Sequence, residues 1–382
     1  MAIVTITCIV LSALPLKGLA ADYMGLAMQS ASTYVNATMS REQGFLERAR
    51  MMEGNYTSYM ETVELNWGSF FGSTPKVWVD YGNGMQSRST VDYEKGEFTL
   101  EALVPADVQD PVAVATPLIQ AQVERVVHEQ DAQGINPLEG QVKIDDSTSL
   151  SKNNIPAFIH EKIRQRMQVQ ALPALGKDGV ERKVVRAKVK MIPEHVRIRA
   201  EKFKPLVMKY AAKRNLDPAI IFAIIHTESF FNPMARSHVP AYGLMQLVPS
   251  SGGRDAYKYV YGVDMKPDAA FLYDPENNID LGTAYFELVM NRNLEGIHNV
   301  AIAYVMTIAA YNTGSGNVAR ALTGARKLDK AINEANRMDI VQIYNILAKQ
   351  LPSDETKGYV KDVLTRSVMY RSLDAGLEAH RS

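Results

Sequence analysis

Glu228 is the residue whose type and position ask for a chemical explanation. In the stretch IIFAIIHTESFFNP, Ile220, Ile221, Ile224 and Ile225 fall at helical spacing. Residues four apart share a helix face, so the series Ile220, Ile224 runs on to Glu228. An ionised carboxylate is costly to bury unless it is paired or hydrogen-bonded. Its neighbours in helical reach are Ile224 and Ile225 before it and Phe231 and Asn232 after it. It also stands at a helix C-terminus, where the macrodipole opposes negative charge. Burial and dipole push the carboxyl's pKa the same way, upward. A glutamic acid that keeps its proton near neutral pH is a general acid. The alternative is a glutamate that ends the helix and turns to solvent.

The residues that follow read as the walls of a groove. Asn232-Pro233 stops the helix, and Pro240-Ala241-Tyr242-Gly243 makes a turn of small residues in which the glycine permits close backbone approach. Leu244-Met245-Gln246 then offers an apolar anchor, an adaptable wall and an amide that both donates and accepts. That set suits a neutral ligand rich in hydroxyl and amide groups. Between Ser229 and Pro249 there is no further Asp or Glu, and Asp255, Asp264 and Asp274 lie beyond.

The elements that must position these residues change class along the chain. Residues 23–66 read as helical. Lys76–Tyr81, Ser87–Tyr93 and Glu97–Val104 alternate with period two around turns at Tyr81–Gly84 and Tyr93–Gly96, an antiparallel meander. A helix is expected over Pro117–Gln130, a short strand at Gly140–Ile144 and a helix over Ile155–Gln170. Arg182–Ile192 alternates basic and apolar residues, a strand whose basic face is either solvated or turned to an anionic polymer. After Pro193 the strand signals stop. Helices are expected at Glu194–Asn215, from Pro218 behind an Asp217 cap, at Pro275–Arg292, Val300–Tyr311, Val318–Leu322, Asp339–Lys349 and Ser353–Arg371. The fold expected is α+β: a mixed N-terminal domain with a small antiparallel sheet over residues 22–193, followed by an all-helical domain over 194–382.

Bulk properties exclude several functions. The 382 residues are 46% hydrophobic, enough for a substantial core, and 42 basic residues balance 42 acidic ones, so no global field draws the chain to nucleic acid or anionic lipid. Cys8 is the single cysteine and the seven histidines are scattered with no HExxH pair, so no metal and no cofactor is expected. Ala2–Leu16 is almost wholly apolar and leads to small residues at Gly18–Ala21, the pattern of a signal peptide over 1–21, too short for a membrane span; a buried N-terminal segment is the alternative.

Three ordered motifs carry a family resemblance. Glu228-Ser229-x-Phe231-Asn232-Pro233-x-Ala235-x-Ser237, with Gly243-Leu244-Met245-Gln246 after it, resembles the first block of the lytic transglycosylases of the goose-type-lysozyme superfamily. Ala310-Tyr311-Asn312-Thr313-Gly314 and Glu355-Thr356-x-x-Tyr359-Val360 resemble their second and third blocks. Trp67-Gly68, the meander, Gly140-Gln141-Val142 and Gly253–Tyr257 are similar to a membrane-bound branch of that family. The resemblance implies a helical lysozyme-like domain that cleaves the β-1,4 MurNAc–GlcNAc bond of peptidoglycan without water, leaving 1,6-anhydro ends, with Glu228 as the single acid and base. It implies a groove lined by Ser237, Met245, Gln246, Tyr311, Asn312 and Tyr359. In it Tyr311 orients the reacting sugar, Tyr359 holds Glu228, Met245 forms wall and Asn312 orders the site. Simple packing for Met245 and Tyr311 and a helix cap for Asn312 are the alternatives. The partners implied are peptidoglycan glycan strands and other cell-wall enzymes, in the periplasm, with peripheral or lipid-anchored attachment to the inner face of the outer membrane. Cys8, preceded by Thr5-Ile6-Thr7, makes a poor lipid-attachment signal. A lysozyme-type hydrolase and a non-catalytic peptidoglycan-binding module are the competing functions.

Overall fold

The computed structural model describes residues 56–130, 134, 136–170 and 174–379. The signal-peptide reading and most of the helix expected over 23–66 lie outside them; helix α1 spans Tyr56–Trp67. Three strands follow, β1 (Val77–Gly82), β2 (Ser87–Asp92) and β3 (Glu97–Pro105), then helix α2 (Pro111–His128). The meander forms as its alternation predicts: along β2 residues are buried and half-buried in strict turn. β6 (Glu181–Lys190) pairs with β3 and completes an antiparallel sheet in the order β1-β2-β3-β6-β4, with the two-residue strands β4 (Gln168–Val169) and β5 (Ala174–Leu175) both on β6. Ile119, Val123 and Val126 of α2 pack on Val91, Phe98, Leu100 and Val185 of the sheet. Helix α2 begins earlier than its periodicity suggested, because the Asp110 side chain accepts from the Ala113 N–H and Pro111 takes the first turn.

Two expected elements differ. Gly140–Ile144 is no strand: Val142 and Ile144 are buried, but their backbones bond across a tight loop, Leu150 to Val142 and Ile144 to Thr148. The helix expected over Ile155–Gln170 holds for one turn, α3 (Ile155–Phe158), then widens into a π turn (Ile159–Ile163) and tightens into a 3₁₀ turn (Arg164–Arg166) before β4. Pairing of Gln168 and Val169 with β6 outweighs helix continuation. The basic face of β6 is a face of ion pairs: Arg186 bonds Glu101, and Lys188 and Lys190 bond Glu97. Glu97 is shared by two lysines and Glu101 by Arg186 and Arg88, so the pairs leave the face with a basic excess.

From His195 onward the chain is helical. The helices are α4 (His195–Lys213), α5 (Pro218–Ser229), α6 (Gly252–Tyr261), α7 (Ala269–Tyr273), α8 (Pro275–Leu288), α9 (Val300–Thr313), α10 (Ser315–Thr323), α11 (Leu328–Ala335), α12 (Ile340–Gln350) and α13 (Asp354–Ala379). Sequence periodicity had not marked α6, α7 or α11. Helix α5 is the axis of this half. Ala219 through His226 are all buried, so it is enclosed on every side, as expected of a helix apolar all round. Helix α13 runs beside it: Tyr370 stacks on Phe222 at 5.2 Å, the Tyr370 hydroxyl meets His226 Nδ1 at 3.1 Å, and Arg366 donates to Thr227 Oγ1 at 2.8 Å. These contacts fix where Tyr359, two turns or more before them on the same helix, must fall. No described helix is long and apolar enough to cross a membrane.

Candidate active site

Glu228 is the penultimate residue of α5. With Thr227 it is the only part of the helix's last two turns left half-buried rather than buried. Its carboxyl lies where the enclosed helix opens, so the side chain reaches solvent from apolar surroundings. Burial is the largest influence on it and pushes its pKa up to about 8. The nearby charge of Glu355 pushes the same way, while the Tyr359 hydroxyl and the Lys76 ammonium pull it back. A carboxyl so placed holds a proton at neutral pH and can give it to a sugar oxygen.

The turn after Glu228 is unusual. Phe230 and Phe231 both have left-handed backbones, with φ of 51° and 60°, conformations that cost free energy outside glycine and persist where the surroundings enforce them. The Ser229 hydroxyl lies 2.7 Å from the Leu244 carbonyl and 3.1 Å from that of Ile225, tying α5 to the Gly243–Gln246 turn. Asn232 is buried. Its Oδ1 accepts from the Met234 N–H at 3.0 Å and its Nδ2 donates to the Pro75 carbonyl at 3.1 Å.

Asn278 on α8 holds the second wall. Fully buried, its Oδ1 accepts from the Met245 N–H at 2.7 Å, and its Nδ2 donates to the carbonyls of Tyr242 (2.8 Å) and Leu272 (2.7 Å). Gly243, at φ 75°, passes so close that a Cβ there would stand 2.3 Å from Asn278 Nδ2 and from the Leu272 carbonyl. Here the glycine is required by both conformation and space. Gln246 is also left-handed, φ 48°. Its Nε2 donates to the Ala235 and Gly243 carbonyls at 3.1 and 2.9 Å, while its Oε1 is buried with no partner. The amide is thus fixed with its acceptor buried and unsatisfied.

The expected groove residues separate into three groups. Tyr359, 6% exposed, faces Glu228 and is its main stabilising partner, although its hydroxyl stands outside ideal hydrogen-bond geometry and has no other acceptor. We regard the two as poised to bond rather than bonded. Gln246 keeps a buried acceptor without a partner and Asn312 is half-buried; Asn312 does not cap its helix, since the Gly314 N–H closes on the Ala310 carbonyl. The other three are held by the protein itself. Ser237 is half-buried; its hydroxyl donates to the Val239 carbonyl and accepts from the Ala241 N–H, shaping the loop. Tyr311 donates to the Met245 carbonyl at 2.9 Å, so its hydroxyl proton is engaged, although its ring lies close enough to feel the charge of Glu228. Met245 is fully buried against α8, where a Cβ on Gly282 would meet its sulfur at 2.3 Å, a placement that favours its packing alternative.

Comparison with known proteins decides the family. The profile described as Transglycosylase SLT domain matches residues 205–334. Over 322 residues the chain is 32% identical to membrane-bound lytic murein transglycosylase C of Actinobacillus succinogenes, covering 82% of this chain and 87% of that protein. The same-named protein of Mannheimia succiniciproducens is 31% identical with the same coverage. Among solved structures, the 70-kDa soluble lytic transglycosylase of Escherichia coli is 28% identical over 45% of this chain, with a TM-score of 0.35, and this chain spans 24% of that larger protein. The chain is an SLT-domain lytic murein transglycosylase.

In this transglycosylase several residues around the acid gave no signal in sequence. Asn278 lies in a stretch that reads only as a capped helix start. Glu355 belongs to a motif but is exposed one turn before Tyr359, and its charge reaches Glu228. Lys76 comes from the turn just before β1. Among the described residues no group of three or more His, Cys, Asp or Glu side chains is placed to hold a metal ion.

Proposed function

We propose that this transglycosylase cleaves the β-1,4 bond from MurNAc to GlcNAc in peptidoglycan without consuming water, with Glu228 as both acid and base. The observation that carries the reading is the Glu228 carboxyl, raised to about 8 by burial at the mouth of an enclosed helix. In the first stage Glu228 gives its proton to the glycosidic oxygen, and the C1–O bond breaks as GlcNAc leaves. In the second, the Glu228 carboxylate takes the proton of the muramoyl 6-hydroxyl, whose oxygen closes on C1 as a 1,6-anhydro ring. Proton and electron pairs balance, and Glu228 ends protonated as it began. The 6-hydroxyl is carried by the substrate, so no second carboxylate is needed to activate water.

The half-buried amide of Asn312 suits a sugar hydroxyl or N-acetyl group, while the buried, unpartnered Oε1 of Gln246 would serve a ligand only after a shift of the turn that covers it. Tyr359 steers Glu228 between its two states; Tyr311, Ser237 and Met245 act by holding the Gly243–Gln246 turn. On this reading residues 194–382 form the catalytic domain and 22–193 an accessory domain. We take its site of action to be the periplasm beside a membrane, in keeping with relatives named membrane-bound and murein-cleaving. Glu355 is the feature a hydrolase would use, as the base for a water. Borohydride treatment of digested sacculi separates the two: anhydro ends resist reduction, whereas a hydrolase leaves reducible muramic acid. Glu228→Gln is expected to release neither.

A further inference from the structure

The acid is built on the helical half of the chain, yet the sheet half reaches it. The loop entering β1 lies against the turn that follows Glu228. The Pro75 carbonyl accepts from Asn232 Nδ2, and the next residue, Lys76, places its ammonium 4.9 Å from the centre of the Phe230 ring. From behind, Arg199 of α4, 2% exposed, donates to the Phe230 carbonyl at 2.9 Å, to the Tyr93 carbonyl at 3.0 Å and to Gln141 Oε1. Tyr93 and Gln141 both belong to the N-terminal half. Phe230 is therefore met directly by the N-terminal half through Lys76 and tied to it indirectly through Arg199, whose other bonds go to Tyr93 and Gln141.

Lys76 is tethered without being sequestered. Glu94, in the turn after β2, bonds it at 2.7 Å, with 36% of the lysine side chain and 49% of the glutamate exposed. Such a pair in water holds its partners loosely, which leaves charge to act on a neighbour that is itself desolvated. The other groups around the acid differ in kind. Helix α13 brings the neutral Tyr359 and the anionic Glu355, and α9 brings the neutral Tyr311. On α5 itself His226 is held neutral, its pKa depressed to about 3 by burial and by Arg366, Arg199, Lys76 and His195. Arg366 packs over Phe230 at 5.1 Å and is committed to Thr227. Lys76, 4.9 Å from the centre of the ring two residues after Glu228, is the cation among the influences on the Glu228 carboxyl, the smallest of the four.

We propose that Lys76, delivered by the turn that enters the first strand of the N-terminal sheet, is a positioning residue of this active site: its ammonium stabilises the carboxylate state of Glu228 that must take the muramoyl 6-hydroxyl proton, and Glu94 sets how much of that charge Glu228 feels. The proposal rests on the reading of Glu228 as acid and base. It gives the sheet half a catalytic purpose. A cation favours only the ionised carboxyl, so it assists the second stage and restrains the first; a tethered, solvated charge is a moderate setting between them.

The test is a carboxyl titration by ¹³C NMR of the full chain labelled at glutamate, with Glu228 assigned by Glu228→Gln, beside kcat/KM against pH. Lys76→Met is expected to move the Glu228 titration up by about half a pH unit, to move the alkaline limb of the rate with it, and to lower turnover several-fold. Lys76→Arg is expected to restore both. Glu94→Gln, which releases the ammonium from its partner, is expected to move the titration the opposite way. A folded Lys76→Met protein whose rate falls while the Glu228 titration stands still overturns the proposal and leaves Lys76 a structural prop. Shifts of the same sign in Lys76→Met and Glu94→Gln overturn it too. Titration shifts as expected, in a protein that releases no anhydro product, would uphold the coupling and refute the transglycosylase mechanism instead.

Discussion

Replacing Glu228 by glutamine should make the folded protein more stable at alkaline pH while abolishing its chemistry. The reasoning runs through proton linkage. In the unfolded chain the carboxyl loses its proton near 4.5; in the fold it holds it to about 8. Between those values the native state binds the extra proton, so stability falls as pH rises through that window and stays low above it. From 4.5 to about 8, at about 1.4 kcal/mol per pH unit, the cost of ionised Glu228 has an upper limit of about 5 kcal/mol. The side chain keeps an opening to solvent, which reduces the effect to about 2–3 kcal/mol. Glutamine matches the shape of the protonated acid and never ionises. Urea unfolding of both proteins at pH 5 and pH 9 measures the difference, with equal slopes showing that both unfold alike. The glutamine variant should be within about 1 kcal/mol of the parent at pH 5 and about 2–3 kcal/mol more stable at pH 9. The same gap at both pH values would mean that the fold does not raise this carboxyl, and the acid mechanism would lose its footing.

Three further outcomes follow from the same geometry. Because the acid must be protonated to act, kcat/KM for solubilised glycan strands should fall as pH rises through about 8; a flat profile to pH 9.5 would count against Glu228 as the acid. Tyr359→Phe removes the strongest influence pulling the Glu228 pKa down, so the alkaline limb should move above its parental position and turnover fall by about tenfold, with circular dichroism unchanged. Asn278→Ala strips the Met245 N–H and the Tyr242 and Leu272 carbonyls of a buried partner; unfolding should be easier by about 3 kcal/mol or more, and activity at a temperature where the variant is folded should fall as the Gly243–Gln246 turn loosens.

The sequence made Glu228 visible because one carboxylate interrupts an apolar pattern, a local signal that survives folding. The reason it is buried differs from the periodicity that flagged it: α5 is enclosed on all sides, so no one isoleucine face is special, and the acid sits where the enclosure ends. The meander and the helical half were legible for the same kind of reason, periods of two and 3.6 that meet a matching partner. Gly140–Ile144 misled because Val142 and Ile144 alternate inward from a loop, and burial alone does not supply a neighbouring strand. The helix expected over Ile155–Gln170 failed at its end because pairing with β6 is a long-range contact that no local pattern reports. Helix α6 opens on Gly252-Gly253, residues of poor helix propensity, and was hidden by them. In the site, spacing alone could not say which groove residues face the ligand. Met245 and Tyr311 are joined through a backbone carbonyl, and Lys76 reaches the acid only through the packing of one half of the chain on the other.

The central claim is that one carboxyl performs both proton transfers and that the substrate's own hydroxyl takes the place of water. Mass spectrometry of the muropeptides released from purified peptidoglycan, by this protein and by its Glu228→Gln variant, tests it most directly. The account predicts products lighter by one water than those with reducing ends, and none with the variant. Products carrying reducing muramic acid would contradict it, and so would anhydro products that persist without Glu228.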